Sequence, residues 1–139
     1  MNTDARFELR DHTADVGIAA EGATLDSVFG ALGDGLAAAQ CDDIPDGGER
    51  FSFSLAAEGR EALLFDYLDE LIYERDVRSV LPVDNEVRIE ADEEWRLEAS
   101  SRGVPLADLE AREVKAVTYS EMRIEEHEEG WEAYVVLDV

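Results

Sequence analysis

Charge constrains this chain before any motif does. It carries 35 Asp and Glu against 12 Lys and Arg, a formal net charge of −23. A chain that repels itself so strongly stays disordered unless its apolar segments bury enough surface to outweigh the repulsion. Hydrophobic residues make up 45% of the sequence, and they recur at helix and strand spacing along most of its length. The 139 residues therefore read as a single domain, 1–139, with its own core. Eleven of the twelve basic residues are Arg, and the one Lys is Lys115. In molar salt the Debye length falls to about 3 Å and such a surface is screened, so the composition points to a halophilic protein in a salt-rich cytoplasm. Most acidic clusters are accordingly read as solvated surface.

The same imbalance excludes function classes. Tight nucleic-acid binding needs a basic patch against phosphate, and no basic run exists, so direct, tight nucleic-acid binding is not expected. Cys41 is the only cysteine, which leaves no intrachain disulfide, and it follows an apolar helical stretch as a small buried side chain. Residues 1–10 include Asp4, Arg6, Glu8 and Arg10, unlike a secretory leader, and no apolar run approaches the ~20 residues of a membrane span. A soluble, cytoplasmic protein with no membrane association is expected.

Local patterns divide the chain into two helices and about seven strands. Phe7 and Leu9 alternate with polar residues, as do Val16, Ile18 and Ala20 after a short break at Asp11-His12-Thr13, and Gly22 closes that strand. Thr24 is placed to cap a helix, with Asp26 in its first turn. The stripe Leu25, Val28, Phe29, Leu32 and Leu36 follows at helical spacing and outweighs Gly30, Gly33 and Gly35. Asp42 to Gly48 reads as a loop and Phe51, Phe53 and Leu55 as a strand. Gly59 precedes a second helix with the stripe Leu64, Leu68, Leu71 and Ile72. Its other face carries Asp66, Asp69, Glu70 and Glu74, a cation-compatible spacing that in this composition reads as solvated surface. Pro82 is taken to end that region. Val87, Ile89 and Ala91 pair with Trp95, Leu97 and Ala99 through a turn at Asp92-Glu93-Glu94. Gly103 and Pro105 mark a loop. Val114 to Tyr119 and Met122 to Ile124 read as two strands. A turn at Glu128-Glu129-Gly130, beside an exposed His127, leads into the alternation Trp131, Ala133, Val135 and Leu137. Hairpin-like connections predict an α+β, two-layer sandwich: a mixed, mostly antiparallel sheet with both helices on one face.

Three segments carry side chains suited to chemistry. In Asp11-His12-Thr13-Ala14-Asp15-Val16-Gly17, His12 and Asp15 sit where a side chain can project past a sheet edge, or else Asp15 caps local turn amides. At the other end, Asp138 is out of phase with Trp131, Ala133, Val135 and Leu137 and points away from them. With the terminal carboxylate of Val139 it forms a set of hard oxygen ligands for a divalent cation, or else an ordinary acidic tail. Third, Glu113-Val114-Lys115-Ala116-Val117-Thr118-Tyr119 holds the sole lysine. A compact ammonium kept where Arg serves everywhere else points to a need that guanidinium does not meet, or else to chance. Ser, Cys and His form no nucleophile set, and neither a glycine-rich phosphate loop nor a paired-cysteine metal site occurs. A metal-dependent enzyme acting on a small phosphorylated substrate is therefore disfavoured.

These segments, together with Leu63-Leu64-Phe65-Asp66-Tyr67-Leu68-Asp69-Glu70-Leu71-Ile72-Tyr73, resemble the archease family in order and placement over essentially the whole chain. The resemblance implies a two-layer α+β fold and, rather than an enzyme, an activator or chaperone of the RtcB-type RNA ligase of tRNA splicing. Such a protein promotes guanylylation of the ligase and its multiple turnover. The alternative it implies is a chaperone or specificity factor for a tRNA cytosine methyltransferase. It further implies a metal site, usually calcium, at Asp15, Asp138 and Val139, with Lys115 and His12 assisting the partner's active site. The family often has His after the Thr-Tyr pair; here that position is Ser120, which is left out of the site.

Overall fold

A computed structural model of the protein describes residues 5–12 and 15–139, with backbone alone for residues 10–12. The alternating segments become seven strands and the two striped segments two helices. In chain order these are β1 (Arg6–His12), β2 (Asp15–Gly22), α1 (Leu25–Gln40), β3 (Glu49–Ala57), α2 (Arg60–Arg78), β4 (Val80–Ala91), β5 (Trp95–Pro105), β6 (Ala116–His127) and β7 (Gly130–Asp138). The α+β class holds. The strands divide, however, between a four-stranded sheet ordered β1-β2-β7-β6 and a three-stranded sheet ordered β3-β5-β4. Every described pairing is antiparallel.

Helix α1 begins where its capping chemistry sets it. The Thr24 hydroxyl accepts from the Ser27 backbone N–H at 3.1 Å, and the Ser27 hydroxyl accepts from the Thr24 N–H at 3.3 Å. Two donors of the first turn are thus satisfied reciprocally. The predicted stripe is the buried one, with Val28, Phe29, Leu32 and Leu36 in the core. Leu63, Leu64, Tyr67 and Leu68 of α2 meet them, joined by Ile18, Val135 and Leu137 from the four-stranded sheet and Leu97 from the three-stranded one. The helices contact both sheets: α1 packs on β2 and β4, α2 on β6 and β3. Cys41 is buried in a smaller cluster with Ala37, Leu81, Val83 and Val104, as its position after an apolar helix predicts. Among the described residues, no helix is long and apolar enough to cross a membrane.

Three local expectations are corrected. Pro82 does not end a region but lies within β4, opposite Gly103. β4 is an outer strand of its sheet, the position where a missing N–H does least harm to the ladder. Gly103 and Pro105 belong to β5, not to a loop. At Gly103 the neighbouring strand comes so close that an added Cβ would stand 2.9 Å from the Val80 side chain. The two short strands expected around residues 114–124 are one strand, β6, interrupted between Thr118 and Arg123 where the register shifts and Glu121 takes a φ of 59°. That irregularity breaks the alternation from which strands are read.

Candidate functional site

Antiparallel pairing of β2 with β7 joins the early segment to the end of the chain. Val16, Ile18 and Ala20 lie opposite Leu137, Val135 and Ala133, and these pairs face the core. Strand residues alternate faces, so the intervening pairs lie on the sheet's other face, and the last of them is Asp15 opposite Asp138. β6 closes the arrangement from the other side, with Ala116 opposite Asp138. Just before it, the Lys115 backbone N–H donates to the Asp138 carbonyl at 2.8 Å. Three segments, at residues 15, 115 and 138, therefore converge at one end of the four-stranded sheet. Asp138, Val139 and Lys115 are exposed there and Asp15 is half-buried.

Two aspartates directly opposite on adjacent strands repel each other unless a positive charge offsets them. Their carboxylates are hard oxygen donors at a sheet end open to solvent, and the Val139 main chain lies one residue beyond. That donor set suits calcium or a similar hard cation, and the fixed register holds it without need of a long loop. His12 closes β1 opposite Asp15 in backbone register; the role expected of its side chain, like the expectations for Thr13 and Ala14, lies outside the described residues. Ser120 is exposed.

Sequence reasoning missed two residues that shape this end. The ring of Tyr134 lies across Gly17, where an added Cβ would stand 2.3 Å from the phenol oxygen. Gly17 thus exists to let that ring lie flat against β2, two residues from Asp15. Arg123 stands over the same ring, 5.0 Å from its centroid. Thr118 donates its hydroxyl to the Val136 carbonyl at 3.1 Å, tying β6 to β7 two residues from Asp138. The alternation of Tyr134 with core residues was the only signal available for that ring and there was none for Arg123, whereas Thr118 lies in a segment already singled out.

The acidic face of α2 differs from the expectation of solvated surface. Asp66 and Asp69 are exposed, but Glu74 is only 8% exposed and is paired with Arg78, Nε to Oε1 at 2.6 Å. Burial, and a proton shared with Glu74, push Glu70 up to about 7.

Comparison with known proteins accords with this fold. The model of the archease protein family matches residues 7–139. Protein archease of Thermococcus gammatolerans is 38% identical over 141 residues, covering 96% of this chain and 99% of that protein. Protein archease of Methanosarcina acetivorans is 32% identical, covering 96% of each. Among solved structures, Protein 1598 of Methanobacterium thermoautotrophicum superposes with a TM-score of 0.83 at 30% identity, covering 96% of this chain and 98% of that one. A Thermotoga maritima protein described as an archease and possible chaperone shares the fold, with a TM-score of 0.63 at 20% identity over 95% and 96% of the two chains. With a family model matched from residue 7 to residue 139 and relatives aligned over nearly their whole length, the chain belongs to the archease family.

Proposed function

We propose that this chain is a non-enzymatic accessory protein of an RtcB-type RNA ligase, promoting guanylylation of the ligase and its repeated turnover. The observation that carries the reading is the register of β2 and β6 on β7, which sets Asp15, Asp138 and Lys115 at one exposed sheet end. In this reading Asp15, Asp138 and Val139 hold a divalent cation, calcium in the first instance. Bound there, the cation supplies positive charge toward a phosphate or a partner carboxylate. Lys115 adds a mobile ammonium beside it, suited to neutralising charge that develops on a transferring phosphoryl group. His12, at the neighbouring end of β1, assists at the same edge. Membership of a family with a member described as a possible chaperone supports a role exercised on another protein. The net charge of −23 favours a protein partner over direct contact with RNA.

The test counts ligated RNA per ligase molecule with the RtcB-type ligase of the same cell, GTP and manganese at high salt. Addition of this protein is expected to carry the ligase beyond one turnover, and Asp15→Ala, Asp138→Ala and Lys115→Ala each to cut that gain by at least tenfold. A ligase left at a single turnover by the wild-type protein refutes the proposed activity. Wild-type gain from all three variants refutes the assigned residues.

A further inference from the structure

The far end of the same sheet carries a second set of metal-compatible donors. Strand pairing places Glu125 of β6 directly opposite Glu132 of β7, and His127 opposite Gly130. Residues 125 and 127 share a face because strand side chains repeat every two residues. Gly130, at a φ of 152°, offers no side chain against His127, so the imidazole leans to the diagonal neighbour. Its Nε2 stands 3.0 Å from Glu132 Oε1 and 3.7 Å from Glu125 Oε2. One nitrogen and two carboxylate oxygens lie within 4.8 Å of one another. Ligand atoms about 2.1 Å from a tetrahedral ion are about 3.4 Å apart, which small rotations of exposed side chains reach.

The carboxylates around this set form a row that ends in arginines. Glu132 also faces Glu21 across β2, so three carboxylates stand in one row, and like charges directly opposite are destabilising. Arg6 pairs with Glu21 at one end of the row, and Arg123 lies 3.8 Å from Glu125 at the other. Glu132, in the middle, has the imidazole. A nitrogen donor distinguishes this set from the oxygen-only ligands of Asp15 and Asp138. Imidazole with carboxylates selects borderline ions such as Zn²⁺ rather than calcium.

We infer that Glu125, His127 and Glu132 form a second metal site, at the β6–β7 hairpin, for Zn²⁺ or a similar borderline divalent ion. Three protein ligands leave a coordination position for water or for a group from outside the chain. The ion replaces the proton that Nε2 otherwise shares with Glu132, and it clamps β6 to β7 beside their turn.

The experiment follows the ring nitrogens of both histidines by NMR during titration of the full chain with Zn²⁺ in concentrated KCl. At one equivalent, Nε2 of His127 is expected to move to the position of a ligated nitrogen while His12 stays. Glu132→Gln should weaken the apparent affinity about tenfold or more, His127→Ala should abolish the tight event, and Asp138→Asn should leave it unchanged. An unmoved His127, equal shifts at both histidines, or wild-type affinity in both Glu125→Gln and Glu132→Gln overturns the site and leaves an exposed ion-pair network only.

Discussion

Two acidic clusters in this molecule look alike on paper and resolve differently. One is the face of α2 with Asp66, Asp69, Glu70 and Glu74; the other is the sheet end with Asp15 and Asp138. On the helix, repulsion is answered locally. Arg78 lies one turn beyond Glu74 and pairs with it at 2.6 Å, and Glu70 holds a proton up to about pH 7 through burial and its bond to Glu74. At the sheet end, the two aspartates come from opposite ends of the chain and are set face to face by backbone register. Side-chain adjustment does not undo a register. A helix cluster that answers its own charge offers little to an external cation, whereas strand pairing fixes how far apart the two aspartates stand.

Calcium gives the largest effect by which that contrast is broken. A ligand of the native state stabilises it by about 2.7 kcal/mol when its concentration is a hundred times the dissociation constant. Denaturant unfolding with calcium against chelator should show a gain of that order for the wild-type protein and for Glu70→Gln. Asp138→Asn should show none. In chelator the Asp138→Asn protein should equal or slightly exceed wild type, because one of two opposed charges is gone. An equal calcium gain in Asp138→Asn would move the cation elsewhere.

A smaller effect tests whether the sheet end is as rigid as its register implies. Gly17→Ala puts a methyl where the Tyr134 ring now lies, 2.3 Å from its oxygen. Tyr134 is buried, so the ring has little room to yield, and overpacking of this kind costs about 1–3 kcal/mol. The expected readouts are that loss in denaturant unfolding and a weaker calcium response than wild type. Unchanged stability would show that the ring is free to swing off β2, and the aspartate pair would then owe nothing to it.

How much of this was legible beforehand follows from the range of each signal. The stripes of α1 and α2, the Thr24 cap and the turn at Asp92-Glu93-Glu94 are local, and each appears where local chemistry puts it. The outward phase of Asp138 was legible too, because parity is a property of one strand. Which strand lies opposite was not: β2 pairs with β7 from the far end of the chain, and the division into two sheets depends on such long-range partners. Pro82 and Gly103 misled because an outer strand tolerates the first and a close strand approach uses the second. Glu74 read as solvent-facing because its spacing matches its exposed neighbours, while Arg78 lets it be buried. His127 gave no warning of its second carboxylate, since Glu132 reaches it across the hairpin rather than along its own strand as Glu125 does.

The smallest effect concerns the helix cluster and has a definite sign. Burial raises the Glu70 carboxyl from 4.5 to about 7, so the native state keeps a proton that the unfolded chain releases near 4.5. Wherever the native state binds more protons, stability falls as pH rises. The contribution of Glu70 is therefore fully present below about 4.5, declines across the interval to about 7, and is constant above it. The carboxyl is only partly shielded and solvent screens it, so the change should stay below about 1 kcal/mol. Glu70→Gln keeps the neutral form at every pH and should flatten this part of the profile, raising stability at pH 8 relative to wild type and leaving pH 4 unchanged. Unfolding midpoints at the two pH values, in chelator, measure it. A profile equally steep in the variant would mean that Glu70 is already charged at neutral pH, and that the proton shared with Glu74 is not what relieves the α2 cluster.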